Sequence, residues 1–265
     1  MIGAKIGAGR EADVHAWDDD AVVKLYRPGF GGHRAEAAAL ATLGGHGVAP
    51  RLIDVVDCDG RTGLVLERLG GQDMLTLLQR QPWRVLGLAR ALATAHLAVH
   101  AVRVPTGLPD LRESLAARID DASLPPQLRD FAARVLDGLP DGDHVCHGDY
   151  HPGNVLVAAD RVSVIDWVGA ARGVPEADHA RTLLLLRRAV PLPGTPVLSR
   201  TLMAVGRSVF AHGYVRAYTV GSPGPLRQVD SWLIVHTAAR LSEGIDIERP
   251  TLIDLLDRAR HRAAR

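Results

Sequence analysis

The chain has 265 residues and a formal net charge of +1, with 47% hydrophobic and 23% charged residues. That apolar fraction is ample for a packed core and excludes disorder over most of the length, while the length fits one large domain or two lobes. The near-zero charge argues against nucleic acid as the main partner, because phosphate-backbone binding leaves a strongly basic footprint.

The cations are unevenly chosen. Of 31 lysines and arginines, only Lys5 and Lys24 are lysine. The balance shifts from net −5 over residues 1–170 to net +6 over residues 171–265. Arg258, Arg260, Arg262 and Arg265 contribute to that excess on a final helix that reads as a solvated face. Cys58 and Cys146 lie far apart without C-x-x-C spacing, which points away from a disulfide framework and from zinc. The N-terminus lacks a signal-peptide apolar core. The most apolar run, Leu86 to Val102, is broken by Arg90, His96 and His100 and is short for a membrane span. A cytoplasmic protein with no membrane partner is expected; the oligomeric state is not legible, and a monomer is compatible with the sequence.

In chain order, Ile2–Ile6 reads as a short strand broken by Gly7-Ala8-Gly9, followed by strands over Ala12–Trp17 and Ala21–Tyr26 around the acidic turn Asp18–Asp20. An alanine-rich helix is predicted from His33 to Leu43, stopped by Gly44-Gly45. Arg51–Val56 and Thr62–Glu67 are two more strands, joined by Asp57-Cys58-Asp59-Gly60. A boundary falls at Glu67–Gly71, giving a lobe at 1–68 and a second at 69–265. In the second lobe, Pro82 suits a helix first turn, and Leu86, Ala89, Ala93, Leu97 and Ala101 keep one apolar face to about Val102. Shorter helices are expected within Asp110–Asp121 and Pro126–Leu136, then a β-rich insert at His144–Asp166. Long helices follow from about Glu176, punctuated by Pro191, Pro193, Pro223, Pro225 and Pro250.

The densest chemistry is His147-Gly148-Asp149-Tyr150-His151-Pro152-Gly153-Asn154, followed by Val162-Ser163-Val164-Ile165-Asp166-Trp167. Phosphoryl transfer from ATP needs a carboxylate for the acceptor hydroxyl, oxygen ligands for Mg²⁺, and a cation on the phosphates. The kinase loop H-R-D-x-x-x-x-N sets an Asp and an Asn five positions apart, the separation of Asp149 and Asn154, and Asp166 follows on an apolar β-branched run. Alone, Asp149 reads equally as a surface or capping residue and Gly153-Asn154 as a hairpin turn. His144, His147 and His151 suggest a metal cluster, but Pro152 and two glycines break helical spacing and no further ligand pattern accompanies them. His147 is instead expected to hold the loop by hydrogen bonding.

The N-terminal lobe gives an independent check. A kinase needs a glycine loop over the phosphates, a V-A-I-K strand, and a helix Glu paired with its Lys. Gly7, Ala8 and Gly9 offer two of three loop glycines, although Gly-x-Gly also marks plain turns; a strand after them disfavours a Rossmann unit. Val22-Val23-Lys24 matches the lysine strand and Glu36 lies early on the next helix, while Lys5 reads as exposed.

On these residues the sequence resembles the aminoglycoside phosphotransferase and choline kinase family, small-molecule kinases with a protein-kinase-like fold. Gly148, where protein kinases carry Arg, and the lack of an A-P-E segment favour that family. The resemblance implies an α+β bilobal fold, with a small five-stranded antiparallel lobe carrying one helix and a larger, mainly helical lobe. It implies Asp149 as catalytic base or acceptor-orienting group and Asn154 and Asp166 as Mg²⁺ ligands. Lys24 would hold the α/β-phosphates, oriented by Glu36. Gly7 to Gly9 would cover the nucleotide, and Glu67 to Leu69 would meet the adenine. Asp178 would support the catalytic loop, although it reads equally well as a helix N-cap. ATP is the expected donor, with GTP left open.

Two departures bear on the acceptor. Many relatives read D-W-E and then G-D-P, whereas this chain has Asp166-Trp167-Val168 and Gly173-Val174-Pro175. A polycationic aminoglycoside needs clustered carboxylates, for which Glu176, Asp230, Glu243 and Asp246 are the candidates. The expected activity is ATP- and Mg²⁺-dependent phosphorylation of a small hydroxylated acceptor, either an aminoglycoside or other antibiotic, which would make it a resistance enzyme, or a metabolite such as an amino alcohol or sugar. A pseudokinase that binds nucleotide without transfer is the rival of another class, and a nucleic-acid binder using the arginine-rich terminus is more distant.

Overall fold

The computed structural model describes residues 2–104, 106–188 and 197–263. Pro191, Pro193 and Arg265 lie outside the described residues.

The first lobe is a five-stranded antiparallel sheet built from β1 (Lys5–Ala8), β2 (Ala12–Ala16), β3 (Ala21–Tyr26), β4 (Leu52–Cys58) and β5 (Arg61–Glu67), in the order β1-β2-β3-β5-β4. Helix α1 (His33–Leu43) connects β3 to β4. Side chains alternate across the central strand β3. Val22 and Tyr26 face the main core, while Ala21 and Val23 join Val65 in a small cluster on the opposite face. Lys24, between Val22 and Tyr26 in that alternation, therefore points to the core side. Its register partners are Val14 on β2 and Leu64 on β5. The first strand starts later than its apolar residues suggest and runs through Gly7 and Ala8, because both pair with β2, opposite Val14 and Asp13. β4 likewise extends to Cys58, leaving Asp59 and Gly60 as the turn, each with positive φ.

The second lobe opens with β6 (Gln72–Asp73) and α2 (Met74–Arg80), neither expected from the pattern. Asp73 caps α2 by accepting the Thr76 N–H at 2.8 Å. Then come α3 (Val85–His100), α4 (Leu111–Asp121) and α5 (Pro126–Asp137). Asp110 caps α4 through the N–H groups of Arg112 and Glu113. The β-rich insert holds β7 (His144–Cys146), β8 (Val155–Val157) and β9 (Val162–Val164), and β10 (Ala171–Gly173) pairs back onto β7. Helices α6 (Pro175–Arg188), α7 (Val197–Gly221), α8 (Val229–Arg240) and α9 (Arg249–Ala263) complete the chain. One core joins the inner face of the sheet to α1, α3, the β-insert and α7; a second joins α4, α5, α6, α8 and α9. Among the described residues, no helix is long and apolar enough to cross a membrane.

Candidate active site

Lys24 is the pivot of the cleft. Its Nζ donates to Glu36 at 2.7 and 3.0 Å and to Asp166 Oδ1 at 2.7 Å. Burial works against the ammonium, but the Glu36 and Asp166 charges outweigh it and hold its pKa above the ordinary lysine value. The Glu36 side chain is buried, and it also accepts from the Tyr26 hydroxyl and, at 3.2 Å, from the Trp167 N–H. Asp166 adopts a left-handed backbone, φ 66°, at the entry to a short 3₁₀ turn over Trp167–Gly169. Such strain in a non-glycine residue persists only where surrounding contacts impose it.

Asp149 and Asn154 are joined to this pivot by hydrogen bonds. The Ile165 N–H donates to the Asn154 carbonyl at 2.9 Å, and Asn154 Nδ2 donates to the Asp149 carbonyl at 3.0 Å. That bond turns the amide oxygen of Asn154 away from Asp149 and leaves it as a hard oxygen donor. His147 fastens the same loop. Its Nε2 donates to the Ile165 carbonyl at 3.0 Å and its Nδ1 accepts the Asp149 N–H at 3.2 Å, which fixes the tautomer. Gly148 has φ 79°, and a Cβ there would lie 2.2 Å from the Gly169 carbonyl oxygen, so the loop requires glycine at this point.

Asp178 is the fourth residue of α6, inside the helix and not at its N-cap, and is 1% exposed. It accepts the backbone N–H groups of His147 at 2.6 Å and Gly148 at 2.9 Å, and Nε2–H of His96 and His100 at 3.1 and 3.2 Å. The Tyr214 and Tyr218 hydroxyls meet the opposite nitrogens of those histidines. Burial raises the Asp178 carboxyl, but the hydrogen bonds from His100 and His96 overcome it and hold the group well below the usual range. His96 and His100 stand four apart on α3, a same-face spacing legible in the sequence, where they figure only as interruptions of an apolar run.

The Asp149 carboxylate faces His151 Nε2 and Arg181 Nη2, each at 3.5 Å. Burial pushes its pKa up, yet the histidine and guanidinium prevail and hold it at about 2. A carboxylate so acidic suits accepting a hydrogen bond from a hydroxyl and orienting it better than removing its proton early. Arg181 is a residue that the sequence reading missed; its signal is the position one turn beyond Asp178 on the same helix. It also donates to Glu243 at 2.7 Å.

The remaining expected residues are more dispersed. Gly7 and Ala8 end β1, and the Gly9 N–H closes the hairpin on the Ala12 carbonyl at 2.8 Å. Glu67 ends β5 with its carboxylate on Arg161, at 2.7 Å, and on the Arg51 N–H; Leu69 follows half-buried. Of the acceptor carboxylates, only Glu243 is tied directly to the surroundings of Asp149. Asp230 lines a separate cavity with Arg187 and Arg262, Glu176 sits at the start of α6, and Asp246 is exposed.

A five-stranded antiparallel sheet above a helical lobe, with a Lys–Glu pair facing an Asp-x-x-x-x-Asn loop and a following Asp, defines a kinase-like phosphotransferase fold. The sequence model of the phosphotransferase enzyme family matches residues 3–257, and the chain belongs to that family. It is accordingly a small-molecule phosphotransferase acting on hydroxyl acceptors. Similar solved structures include the aminoglycoside-3′-phosphotransferase of type VIII, 21% identical over 91% of this chain and 92% of that one, with a TM-score of 0.66. A choline/ethanolamine kinase family protein from Mesorhizobium loti is 17% identical over 98% of this chain and 86% of that one, with a TM-score of 0.63. Amicoumacin kinase, solved with AMP-PNP and Ca²⁺, is 14% identical over 96% and 88%, also with a TM-score of 0.63. At these identities the likeness concerns the fold. No curated protein sequence matches significantly.

Proposed function

We propose that the chain transfers the γ-phosphate of ATP, in the presence of Mg²⁺, to a hydroxyl of a small molecule. The observation that carries this reading is the hydrogen-bonded path from Lys24 through Asp166, Ile165 and Asn154 to Asp149. Lys24, held by Glu36, meets the α/β-phosphates as a compact ammonium. The hairpin at Gly7–Gly9 covers the nucleotide, and the backbone from Glu67 to Leu69 meets the base. The Asp166 carboxylate and the amide oxygen of Asn154 are oxygen donors of the kind that suits Mg²⁺. Bound there, the ion would supply charge neutralisation of the phosphates. Asp149 accepts the acceptor hydroxyl's hydrogen bond and aims its oxygen for in-line attack, and Asp178 and His147 keep the loop in that posture. The contribution is positioning and electrostatics.

In this reading residues 1–68 take the nucleotide and 69–265 the acceptor, and dependence on ATP suits a cytoplasmic location. The acceptor range spans hydroxylated antibiotics, amino alcohols and sugars; a fold relative is solved in a ternary complex with AMP-PNP and hygromycin B. Retention of Lys24, Asp149, Asn154 and Asp166 together favours turnover over nucleotide binding alone. The test is Asp149→Asn, which should abolish acceptor-dependent ADP release while AMP-PNP still binds. Undiminished transfer by that variant would remove Asp149 from the mechanism.

A further inference from the structure

We infer that the acceptor bears an anionic group, a carboxylate or a phosphate, beside its reacting hydroxyl, received by a wall of Arg118, Arg181 and Arg240. The inference rests on the phosphotransferase reading above and narrows its acceptor. Arg181 is the centre of the wall. Its side chain is 4% exposed; Nη2 spans Glu243 Oε1 at 2.7 Å and Asp149 Oδ1 at 3.5 Å, and Nε donates to the Gly148 carbonyl at 3.2 Å. Its Nη1 has no hydrogen-bond partner among the described residues.

Two further guanidinium groups converge on the same glutamate. Arg118 of α4 donates to Glu243 Oε1, and Arg240 of α8 donates to Oε2 at 2.8 Å. Glu248 takes Arg240 through two bonds, at 2.6 and 2.9 Å. Three guanidiniums thus face Glu243, Glu248 and, through Arg181, Asp149, and both oxygens of Glu243 are occupied. In the proposed reaction Asp149 also receives the acceptor hydroxyl, which brings the acceptor within reach of Arg181. Burial first, then the Arg181 charge, lower the Arg118 pKa, whereas Glu248 and Glu243 outweigh burial and raise that of Arg240.

An ammonium group arriving beside Asp149 would meet guanidiniums and a glutamate already saturated by them. A carboxylate or phosphate would give the unpartnered Arg181 Nη1 and the part-exposed Arg118 an anionic acceptor, and guanidinium groups match both in forked geometry. Arg118 is the member best placed to turn toward a ligand, with 34% of its side chain exposed beside a Glu243 that is 27% exposed. Asp246, exposed on the turn after Glu243, forms no ion pair with any of the three; an acceptor site organised by it would show the opposite charge preference.

The experiment first records the melting temperature of the full chain with Mg²⁺ and AMP-PNP. It then measures ADP release from Mg·ATP with four acceptor arms: sugar acids, sugar phosphates, neutral sugars, and aminoglycosides with amino alcohols. Turnover confined to the first two arms, with KM raised at least tenfold and kcat little changed in Arg118→Gln, is the expected result. The first two arms separate carboxylate from phosphate. Comparable turnover of neutral or cationic acceptors overturns the inference. If no arm is turned over, D-gluconate and glucose 6-phosphate are titrated into the Mg·AMP-PNP complex. A saturable rise in melting temperature that Arg118→Gln abolishes supports the anionic site, and no rise with the unaltered chain overturns it. Absence of any AMP-PNP shift counts instead against the phosphotransferase reading itself.

Discussion

Replacing Asp178 with Asn scarcely changes side-chain volume and strikes the anchor of the loop that carries Asp149. Oδ2 accepts three N–H groups, from His147, His96 and His100, and Oδ1 accepts the Gly148 N–H. The least damaging amide orientation keeps an oxygen at the Oδ2 position and sets an NH₂ against the Gly148 N–H. One buried donor is then left unpaired, which costs about 1–3 kcal/mol, and three charge-assisted bonds become ordinary ones, at roughly 1 kcal/mol each. Relief of a desolvated charge offsets part of this sum, leaving about 3–5 kcal/mol. For a chain of this size, 1 kcal/mol corresponds to roughly 2–4 °C, so a fall of about 10 °C is expected in thermal unfolding followed by circular dichroism. The same variant should release ADP more slowly, because His147 and Gly148 lead directly into Asp149. A melting temperature within 2 °C of the parent would refute the idea that Asp178 organises the loop from beneath.

Two other perturbations probe the cleft and the helical lobe. Lys24→Arg should impair ATP-dependent turnover strongly, because a guanidinium is too large for the pocket between Glu36 and Asp166; Lys5→Arg, in an exposed pair with Asp13 at 2.8 Å, should leave turnover unchanged. Equal effects on ADP release would dissolve the distinction. His236 is 2% exposed, and burial, with Arg181 and Arg118, pushes its pKa down to about 3 despite Asp178 and the Ala177 backbone. It stays neutral in the fold while the unfolded chain takes up a proton below about pH 6.5, so its stabilising contribution is intact above that pH and lost as pH falls toward 3. His236→Phe should gain about 2 kcal/mol relative to the parent between pH 7 and pH 5 in urea unfolding, whatever its offset at pH 7. A constant offset across those pH values would show that the ring is not the acid-sensitive group.

Much of the fold is legible because local rules and tertiary needs coincide. The β-branched run around Lys24 and the alanine-rich helix stopped by Gly44-Gly45 read correctly from periodicity and stop signals. β6 and α2 did not: Gly70-Gly71 reads as punctuation, whereas β6 is defined by pairing with β8, a partner more than 80 residues away in the chain. The first strand lies later than its apolar residues suggest for a similar reason, since Gly7 and Ala8 are strand residues only through their pairing with β2. In the site, the Asp149–Asn154–Asp166 spacing is visible because short loops preserve separation in space. Arg118, Arg181 and Arg240 come from three different helices, and nothing in their spacing announces that they meet at one glutamate. Total charge conveys even less: the arginine excess of residues 171–265 says nothing about where it gathers, and Arg118 lies outside that range.

The Glu36 carboxylate belongs to α1, yet it accepts from Lys24 and Tyr26 on the sheet and from the Trp167 N–H at the root of the other lobe. Parting the lobes at this point would strip the Trp167 amide from a buried Glu36 oxygen that Lys24 also shares. The bond that joins the lobes and the bond that holds the lysine therefore meet on the same side chain. One carboxylate thus ties the sheet, helix α1 and the turn after Asp166 to the same ammonium.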